Sequence, residues 1–217
     1  MNRIQKLFTL MILSSSVFFI YQKNHSNVSK IVNIGDALSQ GRNSFGVIEY
    51  GYIDYYKDYL SKTKKVVVNN DYSNQNLSLY EFQYLLKTSS SLKKTIRESN
   101  QVFLTLGYND LLYQISINNN NQIKKNLVKM YQETIKEIKK YTPNKPIVIG
   151  YYIAPSCSDE VKEGLQYINQ SLSQDKRIIF IDTGRIIQSN KYFSNPNSYY
   201  INRLGYYAIY KEILKKT

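Results

Sequence analysis

Five short apolar runs set the rhythm of the chain: Lys30–Ile34, Lys65–Asn69, Gln101–Leu106, Ile147–Tyr152 and Ile178–Asp182. Each is rich in Val, Ile, Leu or Phe, and each is apolar enough to predict a strand buried on both faces. Helical periodicity fills the intervals. Ile123, Leu127, Met130, Tyr131, Ile135 and Ile138 recur at three- and four-residue steps on one face. Pro143 and Pro146 end that helix and admit the next strand. Leu165, Ile168 and Leu172 mark another helix, and Leu204, Tyr207, Ala208 and Leu214 mark the terminal one. Strands alternating with helices predict an α/β domain built on a parallel sheet with right-handed crossovers. Asn118–Asn121 reads as a polar loop inside the third crossover, and no internal repeat is visible.

The first residues follow a different pattern. Arg3 and Lys6 precede an apolar stretch, Leu7–Tyr21, with no acidic residue before it. That is the layout of a secretory signal or signal anchor. Phe18, Phe19, Ile20 and Tyr21 are too bulky for a cleavage site, and no cysteine is present for a lipid anchor. The expectation for residues 1–21 is an uncleaved membrane anchor with the domain outside the cell; the alternative is a cleaved signal and a secreted domain. Gln22–Ser29 is polar and reads as a linker, leaving residues 30–217 as one domain.

Charge changes this picture little. The 217 residues carry a net charge of +13, but 23 of the 29 basic residues are Lys. The same chain holds 22 Tyr, 22 Asn and three Ala, the bias of an AT-rich coding sequence. A solvated lysine-rich surface, with some attraction to anionic headgroups or wall polymers, accounts for the charge. Nucleic acid is not an expected partner, because few Arg and no reader motif are present. The lone Cys157 excludes an internal disulfide and any multi-cysteine metal site, and no cofactor is expected.

The candidate chemistry centres on Lys30–Gly41, KIVNIGDALSQG, which reads as a strand, a tight turn and a helix start. Ligands in open α/β sheets bind at such carboxyl ends. This stretch resembles the first signature of the SGNH/GDSL hydrolases, a strand followed by Gly-Asp-Ser-Leu with a nucleophilic serine. Gly35, Asp36, Leu38 and Gly41 match, but Ala37 stands at the nucleophile position. Gly46–Leu60, with Gly51, Tyr52, Asp54 and Tyr55, is similar to the glycine-tyrosine segment leading into that family's first helix. Gly107-Tyr108-Asn109-Asp110 resembles its Gly-x-Asn-Asp signature, whose asparagine amide donates to the oxyanion. Asn109 and Asp110 also suit the cap of a helix beginning near Leu111. A glycine of the family whose N–H serves the oxyanion falls at Asn74, a residue that tolerates left-handed backbone angles. Anchoring the final signature on Gly205-Tyr206 places its aspartate at Asn197 and its histidine at Tyr200.

The resemblance implies a three-layer α/β/α, flavodoxin-like domain with a five-stranded parallel sheet. It also implies a site in which Ala37, Asn197 and Tyr200 replace the catalytic triad. The chain's one histidine, His25, lies in the linker, so the domain holds no imidazole to act as base. Ser39 should point away from the turn, and Cys157 follows the fourth strand as a loop or buried thiol. Asp36 and Asp110 are expected to fix a turn and a helix terminus, or alternatively to share acid/base work. The expected function is a pseudo-hydrolase that binds an acyl or glycan ligand. Alternatives are an ester hydrolase with a non-standard nucleophile and a structural interaction module. Tyr199-Tyr200 and Tyr206-Tyr207 are candidates to line the cleft by stacking.

Overall fold

Val28–Gly35 forms strand β1, and Ile31 to Gly35 are buried without a break. A strand without an exposed face needs neighbours on both edges and cover on both sides. β1 pairs in parallel with β2 (Lys65–Ser73) on one edge and β3 (Gln101–Thr105) on the other. β4 (Ile147–Ile149) and β5 (Ile179–Ile181) complete a five-stranded parallel sheet in the order β2-β1-β3-β4-β5. The computed structural model describes residues 28–117 and 121–217. The anchor segment 1–21, His25 with the rest of 22–27, and loop residues 118–120 lie outside the described residues. Among the described residues, no helix is long and apolar enough to cross a membrane.

Helices α1 (Tyr52–Ser61) and α8 (Arg203–Lys216) pack on each other to cover one side of the sheet. On the other side α2 (Leu79–Thr88) packs on α5 (Asn121–Ile138), and α5 on α6 (Asp159–Ser173). α3 (Ser90–Glu98), α4 (Tyr108–Ile117) and the single turn α7 (Thr183–Ile186) fill the connections. Leu127, Tyr131, Ile135 and Ile138 of α5, and Leu165, Ile168 and Leu172 of α6, form the core face that their spacing predicts. This is the three-layer α/β/α architecture.

Four details differ from expectation. β2 is not buried on both faces: as an edge strand it alternates, and Val67 is 46% exposed. β4 is shorter, because beyond Ile149 the ladder is taken over by the Asn169 side chain. Its Oδ1 accepts from Tyr151 N at 2.8 Å and its Nδ2 donates to Tyr151 O at 2.6 Å. Asn121 opens α5 rather than lying in a loop. α8 buries Gly205, Tyr206, Ile209 and Ile213, whereas Leu204 and Tyr207 are exposed. Ala208 and Leu214 pack half-buried against the core as expected, and the two outward positions differ because several faces of α8 carry apolar residues and contact with α1 chooses among them.

One buried polar residue joins the sheet to the turn that follows β1. Between Val32 and Ile34 the register of β1 against β2 shifts, leaving an extra residue on β2. Asn33, fully buried at this bulge, donates from Nδ2 to Asn70 Oδ1 and Ser39 O, each at 2.9 Å, and accepts from Tyr52 Oη at 3.3 Å. The bulge is why the polar tail of β2, Asn70–Ser73, remains strand. Replacing Asn33 with Ala strips two acceptors of their buried donor. Asn33→Ala is therefore expected to lower stability by about 1–3 kcal/mol, read as a lower urea midpoint. An unchanged midpoint would show that the side chain is not a fastener.

Candidate active site

The carboxyl ends of β1 and β3 meet where the strand order reverses, the place where open α/β sheets bind ligands. Approach is close there. Asp36 N donates to Thr105 O at 2.9 Å, and a Cβ on Gly35 would lie 2.4 Å from that same oxygen. Only glycine fits, so the turn that follows is pressed against the end of β3. Asp36 Oδ1 accepts from Leu38 N at 3.1 Å, which closes the turn and sets Ala37 at its apex. Ser39 points away, as expected: its hydroxyl donates to Asp36 O at 2.6 Å and meets the Ser73 hydroxyl, and it is buried.

From the β3 side, Gly107 turns the chain into α4 with φ +97°, a left-handed conformation, and a Cβ there would lie 2.5 Å from the Tyr151 hydroxyl. Asn109 falls in the first turn of α4, which starts at Tyr108 rather than near Leu111. Its amide Nδ2 donates to Gln75 O at 2.8 Å. One of its two hydrogens is thereby used, and the other remains for the site. Asp110 caps a different helix from the one expected. Its Oδ2 accepts from Leu79 N at 2.8 Å, so the carboxylate sits at the N-terminus of α2.

Ala37, Asn109 and Tyr200 come together in one cavity of about 80 Å³, with Asp36, Leu38 and Tyr199 also in its wall. Thr105, Tyr108, Tyr151 and Tyr152 complete much of the lining. The sequence reading missed the last two, although their position at the carboxyl end of β4 was a usable signal. Four expected site residues stand outside. Asn74 is not left-handed, and its N–H donates to Gly35 O at 2.9 Å, so it is not free for an oxyanion. Asn197 is exposed in a turn, with its N–H bonded to Asn195 Oδ1. Tyr206 is buried with its hydroxyl on Arg42 O, and Tyr207 stacks edge-on against Tyr55 on the outer surface. Cys157 is a buried thiol behind the wall, 3.5 Å from the Tyr108 hydroxyl. A larger open recess of about 590 Å³ lies between α6 and the segment after β5, but none of the signature residues lines it.

Burial governs the site's electrostatics. It pushes the Asp36 carboxyl up to about 7, against the Leu38 N–H that favours the anion, and the nearby Asp110 charge pushes the same way. Asp110 is raised as well, by burial, with the Leu79 and Tyr80 N–H groups opposing. Burial also raises the phenols of Tyr108, Tyr151 and Tyr152, which therefore stay protonated. Among the described residues, no group of three or more His, Cys, Asp or Glu side chains could hold a metal ion.

The Asp36 shift carries a stability consequence. Unfolded, this carboxyl ionises from its ordinary value of 3.8; folded, it holds its proton to about 7. Between these values the unfolded chain binds fewer protons, so stability falls as pH rises through the window and levels off above it. Asp36→Asn is expected to flatten this slope, leaving the smaller slope due to Asp110. Urea midpoints measured across the window check this; parallel slopes for the two proteins would contradict it.

Known proteins give this geometry a lineage. Residues 31–210 match the family described as GDSL-like Lipase/Acylhydrolase. Similar solved structures include a lipase, Lip_vut3, from a goat rumen metagenome: TM-score 0.74, 17% identity, covering 87% of this chain and 97% of that one. Another is the acetylxylan esterase Axe2 of Geobacillus stearothermophilus: TM-score 0.63, 14% identity, covering 87% and 93%. A third is a lipolytic G-D-S-L family protein of Veillonella parvula: TM-score 0.63, 16% identity, covering 87% and 97%. At these identities the likeness is one of fold. None of the curated proteins matches the chain. The extent of the family match, across the whole sheet and the cavity at its carboxyl edge, decides the matter: this chain belongs to the GDSL-like lipase/acylhydrolase family.

Proposed function

We propose that this protein is a non-hydrolytic member of its family, held outside the cell by its N-terminal segment, whose cavity binds a small acyl group without cleaving it. The observation that carries this reading is the pairing of Ala37 and Tyr200 in one cavity, at the signature positions of nucleophile and base. A methyl group cannot attack a carbonyl, and a phenol does not replace an imidazole as general base. Losing serine or histidine from such a triad costs on the order of 10⁶ in rate, or about 8 kcal/mol of barrier. Structures of Axe2 with serine-to-alanine and histidine-to-alanine changes are described as catalytic mutants. This chain carries the first of those changes natively, at Ala37.

Size limits the ligand. The cavity, about 80 Å³, is smaller than the about 150 Å³ that accommodates benzene in a protein core. It suits an acetyl-sized group amid phenol rings, with the remaining Asn109 N–H available to its carbonyl oxygen. A long acyl chain does not fit inside.

One observation favours a second reading. Asp36 lines the same cavity and titrates near neutrality, as a general base should. In that reading it takes a proton from water, the hydroxide adds to the acyl carbon, and the alcohol leaves with the proton.

Steady-state assays with p-nitrophenyl acetate separate the readings. No turnover above background is expected from the native chain; turnover abolished by Asp36→Asn would establish the second. The triple change Ala37→Ser, Asn197→Asp, Tyr200→His is expected to gain slow activity that disappears when Asn109→Ala is added. It should be slow because Asn74 N–H is committed to Gly35 O, and one missing oxyanion donor costs about 10²–10³ in rate. A folded, inert triple variant would mean that the cavity no longer has the shape of a hydrolase site.

A further inference from the structure

The cavity is too small for anything but the tip of a ligand, so the body must lie on its rim. One part of that rim is concave. A recess of about 400 Å³ is lined by Asn74, Asn76, Tyr80 and Tyr84 together with two leucines. This volume is within the range of small-ligand sites, roughly 300–1,000 Å³, which the cavity's is not. One hydrogen bond links the two linings. Asn109, in the cavity wall, donates to the carbonyl of Gln75, the residue between Asn74 and Asn76 of the recess.

The lining of the recess has a definite chemistry. Tyr80 and Tyr84 are one turn apart on α2, 71% and 65% exposed. Neither ring packs on another ring, and neither hydroxyl has a partner among the described residues. On the α1/α8 surface, by contrast, Tyr55, Tyr207 and Tyr210 stack together. Asn76 is exposed, and its N–H donates to the side-chain Oδ1 of Asn74 at 3.0 Å. Glu81 is the one charged group of the lining, and its carboxylate is committed to the Ser78 cap. Despite the net charge of +13, the recess therefore offers no cation to an anionic ligand.

Phenol faces beside neutral amides match a pyranose chain. A sugar ring presents a face of C–H bonds that lies flat on an aromatic ring, and an edge of hydroxyls that both donate and accept as an amide does. A lipid tail would instead need a continuous aliphatic trough. We propose that the recess is a glycan subsite, binding a neutral oligosaccharide across Tyr80 and Tyr84 so that an acetyl group on it enters the cavity beside Ala37. The proposal rests on the reading of the cavity given above and names what bears the acyl group.

Calorimetric titration of the full-length chain with xylotetraose, cellotetraose and their O-acetylated forms tests it. Saturable binding of at least one plain oligosaccharide is expected, weakened about tenfold or more in Tyr80→Ala/Tyr84→Ala and retained in Tyr80→Phe/Tyr84→Phe. These side chains are exposed, so the variants should fold. Ala37→Leu, which fills the cavity, should remove the preference for the acetylated form and leave plain-glycan binding intact. Absence of saturable binding up to millimolar concentration, or affinity indifferent to loss of both rings, overturns the subsite. The cavity reading survives if acetylated probes then still respond to Ala37→Leu. It falls, with the subsite standing, if both rings matter and Ala37→Leu changes nothing.

Discussion

The structure depends most on the contact between the ends of β1 and β3. Gly35 lies so close to Thr105 that no side chain fits between them, and Asp36 N is bonded to the Thr105 carbonyl. This contact fixes the turn that follows, and with it Asp36 and Ala37, against the chain that leads to Asn109. The same carbonyl end of β1 also receives Asn74 N, so the Gly35 region is gripped from β2 as well. A nucleophile held in such a turn would be rigidly aimed. Here the turn carries a methyl group, that of Ala37, at its apex.

Around that contact, tyrosines act as struts. Tyr151 donates to the Leu106 carbonyl, Tyr152 to Tyr199 O and Tyr206 to Arg42 O, each tying one loop at the carboxyl edge to another. Burial raises these phenols, so they remain protonated donors throughout the physiological range. Asn33 and Asn169 do the same work within the sheet, substituting side-chain amides for missing ladder bonds. A site braced in this way keeps its shape whatever group stands at the apex of the turn, and the Asp36 carboxyl lies buried within the brace.

The sheet was legible in the sequence because its central strands are continuous apolar runs, and Gly35-Asp36 and Gly107 to Asp110 mark two of their ends. What was not legible came from tertiary choice. Nothing in the α8 sequence distinguishes the face of Tyr206 and Ile209 from that of Leu204 and Tyr207 until α1 is packed against it. The bulge at Asn33 hides the length of β2, since its polar tail reads as loop. The resemblance to the family's signatures assigned Ala37, Asn109 and Tyr200 to one site, and the three line one cavity. It misjudged Asn74, whose N–H goes to Gly35 O, and it did not place Asn197, which faces solvent. Backbone hydrogen bonds decide such cases, and side-chain patterns do not encode them.

The central proposal is that no activated hydroxyl or thiol serves this cavity as a nucleophile. A fluorophosphonate probe, which bonds covalently to activated serine hydroxyls, tests it on the intact protein by mass spectrometry. The account predicts an unmodified mass after prolonged exposure to excess probe, with Ser39 held on Asp36 O and Cys157 closed behind Tyr108. A single stoichiometric adduct mapping to any residue of the domain would contradict it.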